Sequence, residues 1–267
     1  MDERIVVYTE VTPTCNNKCY FCPIDKLSRK GQISNEVEDR VVSFLANTPH
    51  KKFRVFPHLL GEPLLFRRLE RYLGQLNLPH VELWIATNGI LLTPERLRSL
   101  HAAGLRNIWF SMFYTNKEDY RRNTGSEFFE TAYSNLLNLL AHHSLFRRIH
   151  VVTFACEADR LAAQLSQLPN VTFQQPRRIE EWRYDGKPRL RSLFFMTSRL
   201  RLAKSICITT EGNVAFDWKD YNAEASPGNI LSLTDYDILN GYYSSGAFNR
   251  PREQFASVMH RLFASNN

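Results

Sequence analysis

The sequence lacks a hydrophobic run long enough to span a membrane, since no apolar stretch approaches about 18 residues. Its first residues, Met-Asp-Glu-Arg, also lack the basic and then apolar segments of a secretory signal peptide. We therefore expect no membrane association and a cytoplasmic location. The hydrophobic fraction of 43% and the charged fraction of 23% are typical of a soluble globular protein.

Cysteine is scarce as well, with five residues in a chain of 267. Three of them, Cys15, Cys19 and Cys22, are separated by only three and then two residues. This grouping favours metal binding in a reducing compartment over a disulfide framework. The alternatives are buried free cysteines or a structural zinc site, but structural zinc normally takes four protein ligands, and no fourth Cys or His is nearby in the sequence.

Short β-rich apolar segments alternate with helical patterns over the first 175 residues, which predicts βαβ units and a parallel sheet. The predicted strands are Arg4–Val11, Lys52–His58, Val81–Thr87, Arg106–Ser111, Ile149–Phe154 and Val171–Gln174. The helical patterns lie near Asn35–Ala46, Arg67–Leu76, Thr93–Ala103, Phe128–His143 and Asp159–Leu168. Six units are too few for a complete eight-stranded barrel, so we predict an α/β fold with a partial (β/α)6 barrel.

The pattern divides the chain into a predicted partial barrel of residues 1–175, a basic linker of residues 176–204 and a small α+β extension of residues 205–267. The extension begins with a predicted hairpin formed by Ser205–Thr210 and Val214–Asp217. Residues 177–204 contain nine Lys or Arg and three acidic residues, within a net charge of +7 for the chain. This patch is either a solvated surface or a binding surface for an anionic substrate such as a phosphate or nucleotide.

The grouped cysteines directly follow the first predicted strand, in a loop that reads T-P-T-C-N-N-K-C-Y-F-C-P-I. In parallel α/β sheets, loops at the carboxyl ends of strands carry the functional site. The C-x3-C-x2-C spacing resembles the signature of the radical S-adenosylmethionine (SAM) superfamily. The resemblance implies that Cys15, Cys19 and Cys22 hold one [4Fe–4S] cluster and leave its fourth iron open for SAM.

Other segments resemble the same superfamily, in order and each beside a predicted strand end. Gly61-Glu62-Pro63 is similar to the motif that meets the amino group of SAM, although Leu60 stands where many members have a glycine. Thr87-Asn88-Gly89 ends the third predicted strand, and Ser111 ends the fourth, where members often place a polar contact to SAM.

Two further matches complete the resemblance. Phe21 fills the aromatic position before the last cysteine, which implies a contact with the adenine of SAM. The residues Tyr120, Arg122, Gly125 and Phe128 resemble the run that commonly follows the fourth strand. Arg122, or its neighbour Arg121, is thereby implied to pair with the SAM carboxylate.

The resemblance implies radical enzyme chemistry, in which the reduced cluster cleaves SAM to methionine and a 5′-deoxyadenosyl radical that abstracts hydrogen from the substrate. The protein supplies binding, orientation and exclusion of water. The resemblance also implies an external electron donor, such as a flavodoxin or ferredoxin. The alternative from another class is a non-catalytic metal-binding protein, and the SAM-like motifs argue against it.

The C-terminal region resembles the extension called SPASM or Twitch, with matches at Cys207, Asp220, Tyr221 and Gly228-Asn229-Ile230. Phe216 and Asp217 occupy the place of its second cysteine. Because only two cysteines follow Cys22, the four ligands of an auxiliary cluster cannot be supplied. We therefore expect a degenerate extension without a second cluster, which favours a redox-neutral reaction.

The two remaining cysteines have different expected roles. Cys207 is expected to be a small buried residue. Cys156 lies just past the fifth predicted strand, where it is either a structural thiol or a catalytic residue that returns a hydrogen atom to a substrate radical.

Two substrate classes remain open. The stretch from His58 to Leu65 resembles the small cyclitol dehydrogenase branch, and the first cysteine comes too early for a preceding leader-binding domain. We therefore favour a small polar metabolite, such as a sugar, cyclitol or nucleoside, in specialised metabolism. Radical modification of a ribosomally synthesised peptide is the alternative.

Nucleic acid is not favoured, because no binding motif accompanies the basic charge. Candidate substrate contacts are Glu10, His58, Tyr114, Asp217 and Trp218.

Overall fold

The computed structural model describes residues 4–153, 167–174 and 204–245. Its strands are β1 (Ile5–Thr9), β2 (Phe53–Phe56), β3 (Val81–Thr87), β4 (Asn107–Ser111), β5 (Arg148–Val152), β6 (Val171–Gln174), β7 (Lys204–Ile208) and β8 (Val214–Asp217). Its α-helices are α1 (Asn35–Ala46), α2 (Leu69–Leu76), α3 (Pro94–Ala102), α4 (Lys117–Thr124), α5 (Phe129–Ala141) and α6 (Asp235–Ser244).

The strands form one eight-stranded sheet in the order β6-β5-β4-β3-β2-β1-β7-β8. Neighbouring strands pair in parallel except β7 and β8, which are antiparallel. The parallel order with intervening helices confirms the predicted α/β partial barrel. Within the described ranges β6 and β8 are the two edges and do not pair with each other, so the sheet is not closed.

The C-terminal hairpin is continuous with this sheet. Strand β7 pairs in parallel with β1, with Val7 opposite Ile206 and Thr9 opposite Ile208. It thereby covers an edge of β1 that would otherwise present unpaired backbone groups. The hairpin itself was predicted from the sequence, but its attachment to the first strand was not, because nothing local specifies a partner some 200 residues away.

The two faces of the sheet differ in what covers them. Residues such as Val7, Val55 and Ile85 belong to the hydrophobic core beneath the helices. The residues that alternate with them point to the other face, because side-chain direction alternates along a strand. On that face the rings of Trp84 on β3 and His150 on β5 stack with their centroids 4.8 Å apart, although β4 lies between their strands. Contact across an intervening strand indicates a concave inner face, the lumen of the partial barrel.

Most helices begin where a small polar side chain satisfies a free backbone N–H. Ser34, Thr93, Asn116 and Thr234 accept hydrogen bonds from the backbone of α1, α3, α4 and α6, respectively. Helices α4 and α6 were not predicted, because α4 is strongly polar and α6 lies in a Tyr-rich tail, so neither shows a clear apolar stripe. Within the described ranges, no helix is long and apolar enough to cross a membrane.

Candidate active site

The predicted motifs meet at the end of the sheet where the carboxyl ends of its parallel strands lie. The cysteine loop follows β1, Gly61-Glu62-Pro63 follows β2, and Thr87-Asn88-Gly89 begins at the last residue of β3. Because these three strands are adjacent and parallel, their carboxyl ends lie side by side. Motifs that are separated by tens of residues in the sequence are therefore neighbours in the fold.

The three grouped cysteines are free thiols, each partly buried. The sulfur of Cys15 accepts a hydrogen bond from the backbone N–H of Asn17 (3.4 Å) and one from the side-chain amide of Asn88 (3.8 Å). The backbone N–H of Cys22 donates to the carbonyl of Cys19 (2.9 Å), which holds the second and third cysteines in one turn. Hydrogen bonds to cysteine sulfur are a feature by which proteins tune iron–sulfur clusters.

The thiols as they stand are poor acids. Burial raises the pKa of Cys15 to about 12, and the nearby Glu62 carboxylate adds to this effect. Burial and the neighbouring cysteines likewise raise the pKa of Cys19, and burial raises that of Cys22. Three thiolates in so confined a place need a cationic centre to stabilise them, and iron supplies it. The donor set therefore fits an iron–sulfur cluster.

A single metal ion fits less well. Among the described residues, no three His, Cys, Asp or Glu side chains converge on a point that could hold one ion. In a [4Fe–4S] cluster each cysteine binds a different iron, so the three sulfurs need not converge.

Glu62 joins two of the motifs directly. Its carboxylate accepts hydrogen bonds from the Thr87 hydroxyl (2.7 Å), the Asn88 backbone N–H (2.8 Å) and the Leu64 backbone N–H (3.1 Å). The side-chain amide of Asn88 in turn donates to the side-chain oxygen of Asn16 (2.6 Å) in the cysteine loop. One hydrogen-bonded chain thus connects the loops after β1, β2 and β3.

Among the described residues, the charge of Glu62 has no cationic partner. The residue is buried, and no Lys or Arg of the described residues forms an ion pair with it. Burial raises the pKa of Glu62 to about 7, although its three hydrogen bonds act in the opposite direction. A buried carboxylate with neutral donors only is poorly stabilised as an anion, and a ligand cation would complete it.

Glycine is required at two positions of the site. A Cβ on Gly61 would lie 1.9 Å from the carbonyl oxygen of Thr12, so only glycine allows the loop after β2 to approach the cysteine loop this closely. Gly89 has a φ of +77°, and a Cβ there would lie 2.0 Å from the Phe110 ring. The backbone N–H of Glu62 donates to the carbonyl of Thr14 (2.9 Å), which secures the first approach.

The other predicted SAM contacts are distributed around this core. Phe21 is buried and packs edge-to-face on Phe113, with centroids 5.1 Å apart. Ser111 is half-buried at the end of β4, and Pro63 begins a short 3-10 turn. Arg122 lies on the exposed side of α4 and pairs with Glu118 (3.3 Å). Its role toward SAM stays a prediction.

Helix α4 nevertheless supports the site through its backbone. The N–H of Lys18 donates to the carbonyl of Thr124 (2.7 Å), and that of Tyr20 donates to the carbonyl of Asn123 (3.1 Å). The last turn of α4 therefore holds the cysteine loop, a connection that was not predicted. Cys156 lies outside the described residues, as do residues 177–203 of the basic linker.

Among the predicted substrate contacts, Glu10 and Tyr114 are buried, whereas Asp217 and Trp218 are partly exposed. Glu10 is fully buried, forms a two-pronged ion pair with Arg29 and accepts a hydrogen bond from the Thr210 backbone (3.3 Å). Glu10 is thus occupied within the protein.

The inner face supplies groups that the sequence analysis missed. Tyr8, Trp84, Trp109 and His150 all lie there, and burial together with Arg148 lowers the pKa of His150. Alternation along each strand was the available signal, but these strands are apolar on both faces and show it only weakly. Cys207 is fully buried and bonded to the Ser205 hydroxyl (3.3 Å).

The fold and site together define a partial-barrel α/β protein whose binding site lies at the carboxyl ends of its strands. A family model described as the Radical SAM superfamily matches residues 9–154, more than half of the chain. The chain belongs to this superfamily. It is a radical SAM enzyme, of a class that uses a [4Fe–4S] cluster and SAM.

Two curated relatives are similar to part of the chain. The S-adenosyl-L-methionine-dependent 2-deoxy-scyllo-inosamine dehydrogenase of Niallia circulans is 27% identical over 120 residues, which is 43% of this chain and 48% of that protein. The GTP 3′,8-cyclase of Synechococcus sp. (strain CC9902) is 32% identical over 111 residues, which is 40% of this chain and 31% of that protein. The chain thus matches about half or less of the length of these relatives.

Solved structures show the same fold over most of the chain. BtrN in complex with AdoMet and 2-DOIA has a TM-score of 0.57 at 18% identity, covering 95% of this chain and 87% of that one. The enzyme anSMEcpe with bound AdoMet and Cp18Cys peptide has a TM-score of 0.58 at 15% identity, covering 92% and 81%. Streptococcus suis SuiB bound to S-adenosylmethionine has a TM-score of 0.56 at 12% identity, covering 93% and 68%. The predicted SPASM or Twitch character of the extension stays a prediction.

Proposed function

We propose that this enzyme holds one [4Fe–4S] cluster through Cys15, Cys19 and Cys22, binds SAM against Glu62, and acts on a small polar metabolite. These three cysteines would hold the cluster, and the chemistry it would supply there is the one-electron reduction of SAM that starts hydrogen abstraction from the substrate. The protein's own residues bind and orient SAM, exclude water and hold the substrate in the lumen.

The observation that carries the SAM assignment is the buried carboxylate of Glu62, which has no cationic partner among the described residues. SAM carries an ammonium group, and that cation would pair with the carboxylate while Thr87 and Asn88 keep it in position. A charge-assisted hydrogen bond of this kind is stronger than one between neutral groups. Glu62 is therefore prearranged for a cationic ligand.

The remaining SAM contacts are assigned by position. Gly61 and Pro63 shape the loop that presents Glu62. Phe21 offers an aromatic face to the adenine, and Ser111 a hydroxyl at the adjacent strand end. Arg122 would have to leave Glu118 to reach the SAM carboxylate, which its exposed position allows.

A small polar substrate is favoured by the relative from Niallia circulans, whose name gives an aminocyclitol as its substrate. Peptide modification is the second candidate, supported by structural neighbours that bind peptides. Because only Cys156 and Cys207 follow the cysteine loop, we propose a single cluster and a redox-neutral reaction, with Cys156 as the candidate hydrogen donor. The electron donor is external.

Anaerobic reconstitution tests the cluster assignment. The parent protein should contain about four irons and four sulfides per chain, the content of one [4Fe–4S] cluster. Cys19→Ala should lose both the cluster and SAM cleavage, whereas Cys207→Ala, the matched control at a cysteine outside the loop, should keep the iron. About eight irons per chain, or a colourless protein with stoichiometric zinc, would contradict the proposal.

The substrate class needs a separate experiment. The holoenzyme is incubated with SAM and reductant, together with 2-deoxy-scyllo-inosamine, pooled sugars and nucleosides, or candidate peptides. Formation of 5′-deoxyadenosine that depends on a metabolite supports the small-substrate assignment. Formation that depends only on a peptide would favour the second candidate.

A further inference from the structure

His58 lies at the carboxyl end of β2, on the inner face of the sheet. It continues the alternation of Arg54 and Phe56, whose side chains point to the lumen. Its ring packs edge-on against Phe56 (centroids 5.5 Å apart) and against Tyr8 (5.8 Å). Neither contact is a hydrogen bond, so aromatic rings line two sides of a partly exposed imidazole.

One ring nitrogen of His58 is unsatisfied within the described residues. Its Nδ1 is buried and makes no hydrogen bond there. Other partly buried histidines are satisfied: a ring nitrogen of His80 bonds to the carbonyl of Leu45 (2.8 Å), and one of His143 bonds to Asn170 (2.8 Å). An unpaired buried nitrogen destabilises a fold, so a purely structural position here would favour phenylalanine.

The ring is also uncharged. Burial lowers the pKa of His58 to about 4, so the imidazole is neutral near pH 7. A neutral imidazole has one nitrogen that accepts a hydrogen bond and one that donates. It offers no positive charge to a phosphate or carboxylate, but it can accept from a hydroxyl or an amine.

We propose that His58 is a substrate-binding residue whose unpaired ring nitrogen accepts a hydrogen bond from a hydroxyl or amino group of the substrate. The inference rests on the proposed function and extends it. His58 and Glu62 share the loop after β2, so one short segment places SAM and substrate next to each other. The part of the substrate that faces this loop is a polyol or amino-polyol surface, and any phosphate it carries lies elsewhere.

The test compares His58→Phe with His80→Phe, a matched control that removes a histidine with a known partner beside another phenylalanine, Phe53. Thermal midpoints of the SAM-loaded holoenzymes are measured first. His58→Phe should keep or raise the midpoint, because it removes an unsatisfied nitrogen. His80→Phe should lower it by several degrees, because the Leu45 carbonyl loses its partner.

Substrate-dependent 5′-deoxyadenosine formation is measured next, with 2-deoxy-scyllo-inosamine and with pooled cyclitols and sugars as probes. His58→Phe should lose about tenfold or more of the stimulation seen in the parent, equivalent to one lost hydrogen bond to a buried group. His58→Gln, whose amide oxygen also accepts, should recover part of it.

Two results would overturn the proposal directly. Equal losses of thermal midpoint in the two phenylalanine variants would mean that His58 has a partner within the chain. Undiminished stimulation in His58→Phe would mean that the substrate does not contact it. A parent that cleaves SAM but responds to none of these probes would overturn the polyol assignment, whereas a parent that never cleaves SAM would contradict the proposed function itself.

Discussion

Glu10 and Glu62 are both buried at the carboxyl ends of neighbouring strands, and the protein treats their charges in opposite ways. Glu10 follows β1 and is held by both arms of the Arg29 guanidinium, with Thr210 as a further donor. Glu62 follows β2 and, within the part of the chain that the structure describes, receives hydrogen bonds from uncharged groups only. One carboxylate is neutralised within the fold, and the other is the one that we propose to pair with a ligand cation.

The two carboxylates accordingly differ in role: Glu10 stabilises the fold, whereas Glu62 belongs to the proposed binding site. The Glu10–Arg29 pair ties the loop that follows the cysteines to β1 and to the turn after β7, so it joins the N-terminal and C-terminal parts of the sheet. Glu62 links the loops after β2 and β3 through hydrogen bonds but forms no ion pair among the described residues, and burial raises its pKa to about 7. A strongly perturbed pKa at a buried carboxylate without a charged partner among the described residues is characteristic of a binding site.

The largest effect should come from breaking the neutralised pair. Glu10→Gln leaves the Arg29 guanidinium buried without its counterion, which should cost about 3–5 kcal/mol of unfolding free energy. Denaturant titration measures this loss. The control is Glu130→Gln, which removes an exposed ion pair with Lys117 and should leave stability nearly unchanged.

If Glu10 instead contacts the substrate, as the sequence analysis suggested, Glu10→Gln would leave stability unchanged and reduce turnover. That result would remove the contrast between the two carboxylates.

The next effect concerns SAM affinity. Glu62→Gln removes the charge that we assign to the SAM ammonium, which should weaken SAM binding by about 1.5–3 kcal/mol, or at least about tenfold. Equilibrium binding to the reconstituted protein measures it. The iron content should stay that of the parent, since Glu62 is not a proposed cluster ligand. Unchanged affinity would show that the ammonium binds elsewhere.

The raised pKa of Glu62 also predicts pH dependence. Because SAM pairs with the ionised form, parent affinity should rise about tenfold between pH 6 and pH 8, as the carboxyl loses its proton near pH 7. Glu62→Gln should not share this rise. A parallel rise in both proteins would assign the dependence to another group.

Rising pH should affect the stability of the SAM-free protein in the opposite direction to its effect on SAM affinity. The pKa of Glu62 is raised in the fold above its ordinary value of 4.5, so its contribution is fully present below pH 4.5 and is lost as pH rises through about 7. Between pH 5 and pH 8, the free energy of unfolding of the parent should therefore fall relative to that of Glu62→Gln. Urea titration of both proteins measures this change.

The smallest effect is expected at the opposite end of the barrel. Glu82 is buried but pairs with Arg54 (2.8 Å) and Arg148 (3.0 Å), which are themselves partly exposed. Burial would raise the pKa of Glu82, but the bond and charge of Arg54 outweigh it and lower that pKa. Glu82→Gln should cost about 1 kcal/mol and leave SAM affinity unchanged. A change in SAM affinity would mean that the two ends of the barrel are coupled.

Much of the fold could be predicted because its signals are local. Strand β3 and helix α1 have the bounds that hydrophobic periodicity predicted, Val81–Thr87 and Asn35–Ala46. The position of the cysteine loop, of Gly61-Glu62-Pro63 and of Thr87-Asn88-Gly89 at adjacent strand ends followed from motif order and the geometry of parallel sheets. Superfamily membership was likewise contained in the motifs.

What the sequence by itself determined is therefore the class of enzyme and the loops that carry its site, because short motifs and local periodicity encode both. Only the tertiary structure decided which buried charges are paired, since Glu10 meets Arg29 and Thr210 across distant segments. The same holds for β7 beside β1 and for the buried, unsatisfied Nδ1 of His58. Pairing and burial depend on which segments approach each other in space, and no local pattern of residues specifies that approach.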